Sequence, residues 1–342
     1  MLASASSHLG KASFNNSYYF LNHQILNGLL IGALGFLVTV FFPYRQYRKL
    51  ALGLLILNII LLILVFTPLG VTAKNASRWI AFGPITFQPA ELLKITYILY
   101  LAAWLSGRRH RRHDFWVGAF PFSVMTGIVA GLLLLQPATS TVAILIATGF
   151  LMYFASGARL RYLAAMIIGG VAAFGAVVYF GPAYRLERLQ NFLDPASNVL
   201  SGNYQLNQAL IAIGSGGLTG VGYGKSTTKI HYLPEPAGDS IFAVIAEEFG
   251  FIGSIVLIGL FTALVIKLIV AAKSIRDRFG GLLLVGFGSL IGIQAFVNIA
   301  AISGLIPLTG VPLPFISFGG TALAVFMTIS GISVNILRTR SR

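Results

Sequence analysis

The chain has no cysteine. Neither a disulfide frame nor a thiolate metal site is available to it. Its five histidines (His8, His23, His110, His113, His231) fall at no metal-ligand spacing. Charge is scarce as well: 10% of the 342 residues are Asp, Glu, Lys or Arg, against about 25% in an ordinary soluble domain. Acid is scarcest, with nine residues against 24 Lys and Arg. So little charge excludes a typical soluble enzyme. A hydrophobic content of 56% and a mean hydropathy of +0.84 predict an all-α polytopic membrane protein instead.

A net charge of +15 raises nucleic-acid binding, whose footprint is a basic patch. Here the basic residues sit in short loops between apolar runs, which is the positive-inside signature of topology; no nucleic-acid partner is expected.

About nine apolar runs are long enough to span a bilayer or close to it. They lie near Gln24–Phe42, Leu50–Phe66, Glu91–Ser106, Ala119–Gln136, Thr141–Ser156, Leu163–Phe180, Ser240–Ala271, Gly280–Ile302 and Thr321–Leu337. Alternate loops collect Arg45, Arg48 and Lys49, the arginines of 108–112, Arg159 and Arg161, and Lys273, Arg276 and Arg278. The C-terminal tail adds Arg338, Arg340 and Arg342. This side is read as cytoplasmic, with the C-terminus inside and the N-terminus outside. Of the acidic residues only Asp114 and Asp277 fall there; Glu91, Glu187, Asp194, Glu235, Asp239, Glu247 and Glu248 map to the outer half. Chemistry is therefore expected at the outer face. The largest outer segment, 181–238, is too long for an idle connector and carries the glycine-rich run 214–224.

Several motifs have both a structural and a chemical reading. Gly224-Lys225-Ser226 resembles the end of a phosphate-binding loop, but Thr219 stands where its first glycine belongs. A hinge, or a glycine bed for close backbone approach, fits better. Glu91 and Lys94 share a helix face at three-residue spacing, either as a self-neutralising pair or as a charged floor for an anionic substrate. Arg78-Trp79 reads as an interface anchor or as a bidentate grip on phosphate. Glu247 and Glu248 point in different directions, so at least one faces the interior, by default as a buried structural acid. Asp239 stands at the lip of the seventh run, either as a helix N-cap or as a functional ionisable group at membrane depth.

The ordered motifs carry a family resemblance. They are Asn75-Ala76-Ser77-Arg78-Trp79-Ile80, Phe87-Gln88-Pro89-Ala90-Glu91-Leu92-Leu93-Lys94, Tyr204-Gln205-Leu206-Asn207-Gln208, Gly214-Ser215-Gly216-Gly217, Tyr232-Leu233-Pro234-Glu235, Asp239, Glu247-Glu248, Gln294 to Asn298, and Pro307 to Gly320. With these the chain resembles, over nearly all its length, the SEDS family of cell-wall polymerases (FtsW and RodA). Lys229 and the Pro312–Gly320 run resemble the FtsW side.

The resemblance implies a single SEDS-type transmembrane domain over 1–342, with ten helices in the family against nine read here, the first being expected to be missing. It implies a multi-pass protein of the bacterial cytoplasmic (inner) membrane that polymerises lipid II at the outer face during cell division. Undecaprenyl diphosphate is released, and the expected partners are a class B penicillin-binding protein and other divisome proteins. Asp239 would be the catalytic base. Arg78, Gln88, Glu91, Lys94, Lys225, Lys229, Glu235 and Ser317 would form the substrate-binding set, with Arg78 and Lys94 foremost in offsetting the leaving diphosphate. No cofactor is fixed by the sequence; a divalent cation, Mg2+ or Mn2+, is compatible, with no diagnostic ligand set. A lipid II flippase and an inactive scaffold for the penicillin-binding protein are the alternatives. The chain departs from the family pattern at Ala138 and Ser140, where aspartate and glycine are usual, and at Pro236-Ala237-Gly238 before Asp239.

Overall fold

The computed structural model describes residues 1–73, 76–82, 85–107, 114–194 and 203–340. Asn75 of the first motif and the arginine run 108–112 lie outside the described residues. Every predicted apolar run falls on a helix. Among the described residues seven helices are long and apolar enough to cross a membrane: Tyr19–Phe41, Tyr44–Leu64, Phe115–Leu135, Leu160–Tyr179, Ile241–Lys273, Arg278–Ile302 and Gly320–Thr339. The remaining two runs form helices of 17 residues each, Pro89–Leu105 and Thr139–Ala155. The chain is a multi-pass membrane protein. It is not purely helical, because Gly70–Ala73 (β1), Ala76–Phe82 (β2) and Ile85–Phe87 (β3) form an antiparallel sheet in the order β1-β2-β3.

The helices group into two compact units. The larger comprises residues 27–168, 264–293 and 320–342. Its centre is Pro89–Leu105, started by proline in the first turn, where no N–H is needed. Tyr97, Ile98 and Leu101 on that helix are fully buried, and Tyr97 shares a hydrogen bond of 2.9 Å with Thr126. The helix beginning at Gly320 lies against Ile31–Phe41 at small residues. A Cβ on Gly35 would stand 2.4 Å from Thr328 Oγ1, and one on Gly331 2.1 Å from Thr39 Oγ1. Close backbone approach of this kind is what glycine gives helices in lipid, where dispersion rather than hydrophobicity joins them.

The other unit comprises residues 1–26, 169–263 and 294–319. It holds the 181–238 segment, whose described residues include the helices Ala183–Leu193, Tyr204–Ser215 and Thr228–His231. Ala209, Ala212, Leu233, Ile241, Val244, Ala295 and Leu313 share one buried cluster, which seats Tyr204–Ser215 against the start of Ile241–Lys273.

That last helix is interrupted at Gly250 (φ 66°, ψ −162°), a conformation open essentially to glycine alone. A break in a membrane helix leaves backbone groups that must find partners. The glycine-rich run supplies them. The carbonyls of Glu247 and Glu248 accept from Val221 (2.9 Å) and Gly222 (3.1 Å), while the N–H groups of Phe251 and Ile252 donate to Gly217 (2.9 Å) and Leu218 (3.1 Å). The approach is so close that a Cβ on Gly220 would fall 2.2 Å from the Glu248 oxygen. Of the two expected roles for this run, the close-approach bed is the one observed.

Candidate functional site

Asp239 stands two residues before the first turn of Ile241–Lys273, and its backbone is pinned on both sides. Upstream, Glu235 adopts a left-handed conformation (φ 49°), and its carbonyl accepts from Gly238 at 2.9 Å and Ser240 at 3.3 Å. The resulting turn carries the chain from Pro234 into the helix. Downstream in sequence, the 307–319 segment and Asn298, on the helix Arg278–Ile302, together hold three successive carbonyls. Ala237 accepts from the Phe318 N–H at 2.8 Å, Gly238 from Ser317 Oγ at 2.7 Å, and Asp239 from Asn298 Nδ2 at 2.8 Å. Asn298 Nδ2 also donates to Val311 at 2.7 Å, and Ser317 Oγ accepts from the Leu313 N–H at 2.8 Å. A carboxylate on so constrained a backbone keeps its position when a substrate arrives.

The Asp239 side chain meets a different element. Gln205, in the first turn of Tyr204–Ser215, donates from Nε2 to Asp239 Oδ1 at 3.2 Å and to Ser240 Oγ at 3.0 Å. Gly310, at φ +67°, lies on the Oδ2 side, where a Cβ on it would stand 3.7 Å from that oxygen. Asn298, Gln205 and Gly310 all lie within the motifs quoted above, but spacing in sequence gives no sign that they converge on Asp239.

The predicted substrate-binding residues are distributed as follows. Ser317 and Glu235 frame Asp239 through the backbone contacts just described; Glu235 itself is exposed. Lys229 is buried, with Nζ 2.6 Å from Glu248 Oε1, 2.7 Å from Ser4 Oγ and 3.0 Å from the Gly224 carbonyl. Lys225 is exposed. Glu247 and Glu248 are both buried. Glu247 accepts from Ser226 Oγ at 2.5 Å, from the Thr227 N–H at 3.0 Å and from the Thr228 hydroxyl. Their arrangement is the structural one expected of buried acids, and both adopt it.

Four more of these residues belong to the larger unit. Glu91 and Lys94 form a buried ion pair of 2.7 Å, with Lys94 Nζ 5.7 Å from the Phe326 ring centroid. The Gln88 N–H donates to Thr321 Oγ1 at 3.3 Å. Arg78 donates from Nε to the Gln136 carbonyl at 3.0 Å and from Nη2 to the Pro137 carbonyl at 2.5 Å. Its guanidinium thus spans a turn in which Pro137 itself has positive φ (27°). This matches a structural anchor, though to a protein turn rather than to an interface. Among the described residues no group of three His, Asp or Glu could hold a metal ion. An apolar cavity of about 830 Å³ in the larger unit, lined by Phe154, Val265, Ile269 and Leu282, holds none of these residues.

The model of the FtsW/RodA/SpoVE family, described as cell cycle proteins, matches residues 1–342. The chain belongs to the FtsW/RodA/SpoVE family. Within that family it is 37% identical to a "Probable peptidoglycan glycosyltransferase FtsW" of Geobacter sp. (strain M18), over 100% of this chain and 93% of the relative. In three dimensions it is similar to a solved peptidoglycan synthase complex that coordinates polymerization and crosslinking, at TM-score 0.82 and 29% identity, covering 100% of this chain and 95% of that one. It is also similar to the rod shape determining protein RodA of Thermus thermophilus, crystallised as an aspartate-to-alanine variant, at TM-score 0.72 and 28% identity, with the same coverage. Asp239 stands just before a membrane helix with the carbonyls of Ala237, Gly238 and Asp239 each held by a hydrogen bond.

Proposed function

We propose that this protein is a peptidoglycan glycosyltransferase that polymerises lipid II at the outer face of the bacterial cytoplasmic membrane during cell division. Supporting this are its full-length membership of the FtsW/RodA/SpoVE family and the name of its Geobacter relative. The observation that carries it is the pinned backbone of Asp239. Asp239 acts as general base. Its carboxylate takes the proton from the sugar 4-hydroxyl of the acceptor lipid II as that oxygen attacks the anomeric carbon of the growing strand. The new C–O bond forms while the bond to the undecaprenyl diphosphate leaving group breaks. A positioned base of this kind contributes about 10²–10⁴-fold.

The leaving diphosphate needs positive charge nearby. The exposed Lys225 is the better candidate, since Lys229 is committed to Glu248, Lys94 to Glu91 and Arg78 to two carbonyls. A divalent cation, Mg2+ or Mn2+, is compatible with this reading, since such an ion is held largely by substrate phosphates and needs few protein ligands. The partner is a class B penicillin-binding protein that cross-links the nascent glycan, in line with the synthase complex this chain resembles. The C-terminus is cytoplasmic, following the loop arginines.

The flippase reading draws on the interrupted helix at Gly250, since transporters bind substrate at discontinuous helices. One experiment separates the two. The purified chain is incubated with fluorescent lipid II and a cognate partner, beside Asp239→Asn, and products are resolved on a gel. A glycan ladder lost in the variant supports the polymerase; lipid II movement across vesicles without any ladder overturns it.

A further inference from the structure

Gln205 has no part in the reaction as described so far, yet it touches the Asp239 carboxylate from another element. Its amide nitrogen lies 3.2 Å from Asp239 Oδ1 and 3.0 Å from Ser240 Oγ, so each of its two hydrogens has an acceptor. The backbone behind it is anchored. Gln205 sits in the first turn of Tyr204–Ser215, whose Leu206, Ala209 and Ala212 are buried. The grip on Asp239 is therefore applied from a seated helix to the mouth of a second one.

We propose that Gln205 is the positioning residue for the base: through its bond to Oδ1 it fixes the Asp239 side-chain rotamer and so the direction from which the carboxylate takes the proton. Two features favour this over simple helix-to-helix stitching. Stitching is already supplied by the 3.0 Å bond to Ser240, and the additional bond is made to the reactive group itself. On the opposite side Gly310 lacks a side chain, and a methyl there would come into van der Waals contact with Oδ2. The carboxylate is thus held by a donor from a seated helix, with the side-chain-free backbone of Gly310 beside it. A base left to rotate loses its alignment, and a 1 Å misplacement can cost about 100-fold.

The inference rests on the reading of Asp239 as base, and the test separates the two. Gln205→Met keeps the length and volume of the side chain without its donors; Gln205→Glu keeps its shape but sets an acceptor against Oδ1. Each is compared with the unmodified protein and with Asp239→Asn for lipid II polymerisation with the partner present, and for thermal unfolding in detergent. For Gln205→Met the expected result is a kcat lower by about 10- to 100-fold, a KM within about threefold, and an unfolding midpoint within about 2 °C. Gln205→Glu should fall at least as far. On the Asp239→Asn background neither change should lower the residual rate further, as befits a residue acting through the base. A Gln205→Met enzyme with kcat within about threefold of the parent, or with its loss confined to KM or tracking a lowered midpoint, overturns the proposal while leaving Asp239 in place. Full activity of Asp239→Asn overturns both.

Discussion

Asn298 joins two separate carbonyls through one nitrogen: Nδ2 lies 2.8 Å from the Asp239 oxygen and 2.7 Å from that of Val311. One buried side chain thereby holds the 307–319 segment against the start of the helix that carries the candidate base. Asn298 itself is 1% exposed, so no solvent takes over when it is removed.

Asn298→Leu leaves two carbonyls without their donor. Each such loss costs about 1–3 kcal/mol, so the thermal midpoint in detergent should fall clearly. Polymerisation should fall further than the midpoint explains, because the Asp239 backbone is released. A variant that melts and polymerises like the parent would show that the neighbouring bonds from Ser317 and Phe318 suffice.

Lys229 and Glu248 form a pair 2.6 Å apart with side chains 4% and 0% exposed. Removing one partner strands a buried charge, at about 3–5 kcal/mol. Lys229→Met is therefore expected to unfold at markedly lower temperature, whereas Lys225→Met, at an exposed site, should melt normally. If Lys229→Met instead keeps its midpoint and raises KM for lipid II, Lys229 is a substrate ligand.

Gly220→Ala places a Cβ 2.2 Å from the Glu248 carbonyl oxygen at φ +80°. Gly224 has the same kind of backbone (φ +81°) and open space around it. Alanine at Gly224 should cost only the left-handed penalty of about 1–2 kcal/mol; at Gly220 it should cost more, by forcing the loop off the broken helix. Equal midpoints for the two variants would falsify the close-approach account of the glycine run.

Arg78→Lys removes a planar fork that reaches the carbonyls of both Gln136 and Pro137. A lysine is a single point charge and does not reproduce that grip. The expected outcome is a loss of about 1.5–3 kcal/mol of stability, the usual range for hydrogen bonds to a charged group, with KM for lipid II little changed. The opposite pattern, an unmoved midpoint and a higher KM, would return Arg78 to the diphosphate.

Much of this protein was legible in its sequence. The nine apolar runs fall on helices because lipid leaves a spanning segment few ways to satisfy its backbone, so hydropathy and length suffice to locate it. The motifs carried the family, and they single out Asp239 at the mouth of the seventh apolar run. The glycine run was legible as a place of close approach, since a missing Cβ can be read from the residue type itself.

What only the tertiary structure decided is which of two residues of the same type is locked into a buried pair and which is left exposed. Lys225 and Lys229 are four apart in one segment; one is exposed and the other is locked to Glu248. Arg78 reads as anchor before anion grip, but what it anchors to is hidden until Gln136 and Pro137 arrive from 58 and 59 residues away. Gln205 and Asn298 gain their meaning from Asp239, 34 and 59 residues distant. Sequence fixes what a side chain offers, through its charge, donors and size. Which partner accepts the offer is set by packing between distant segments, and that packing leaves no local periodicity to read.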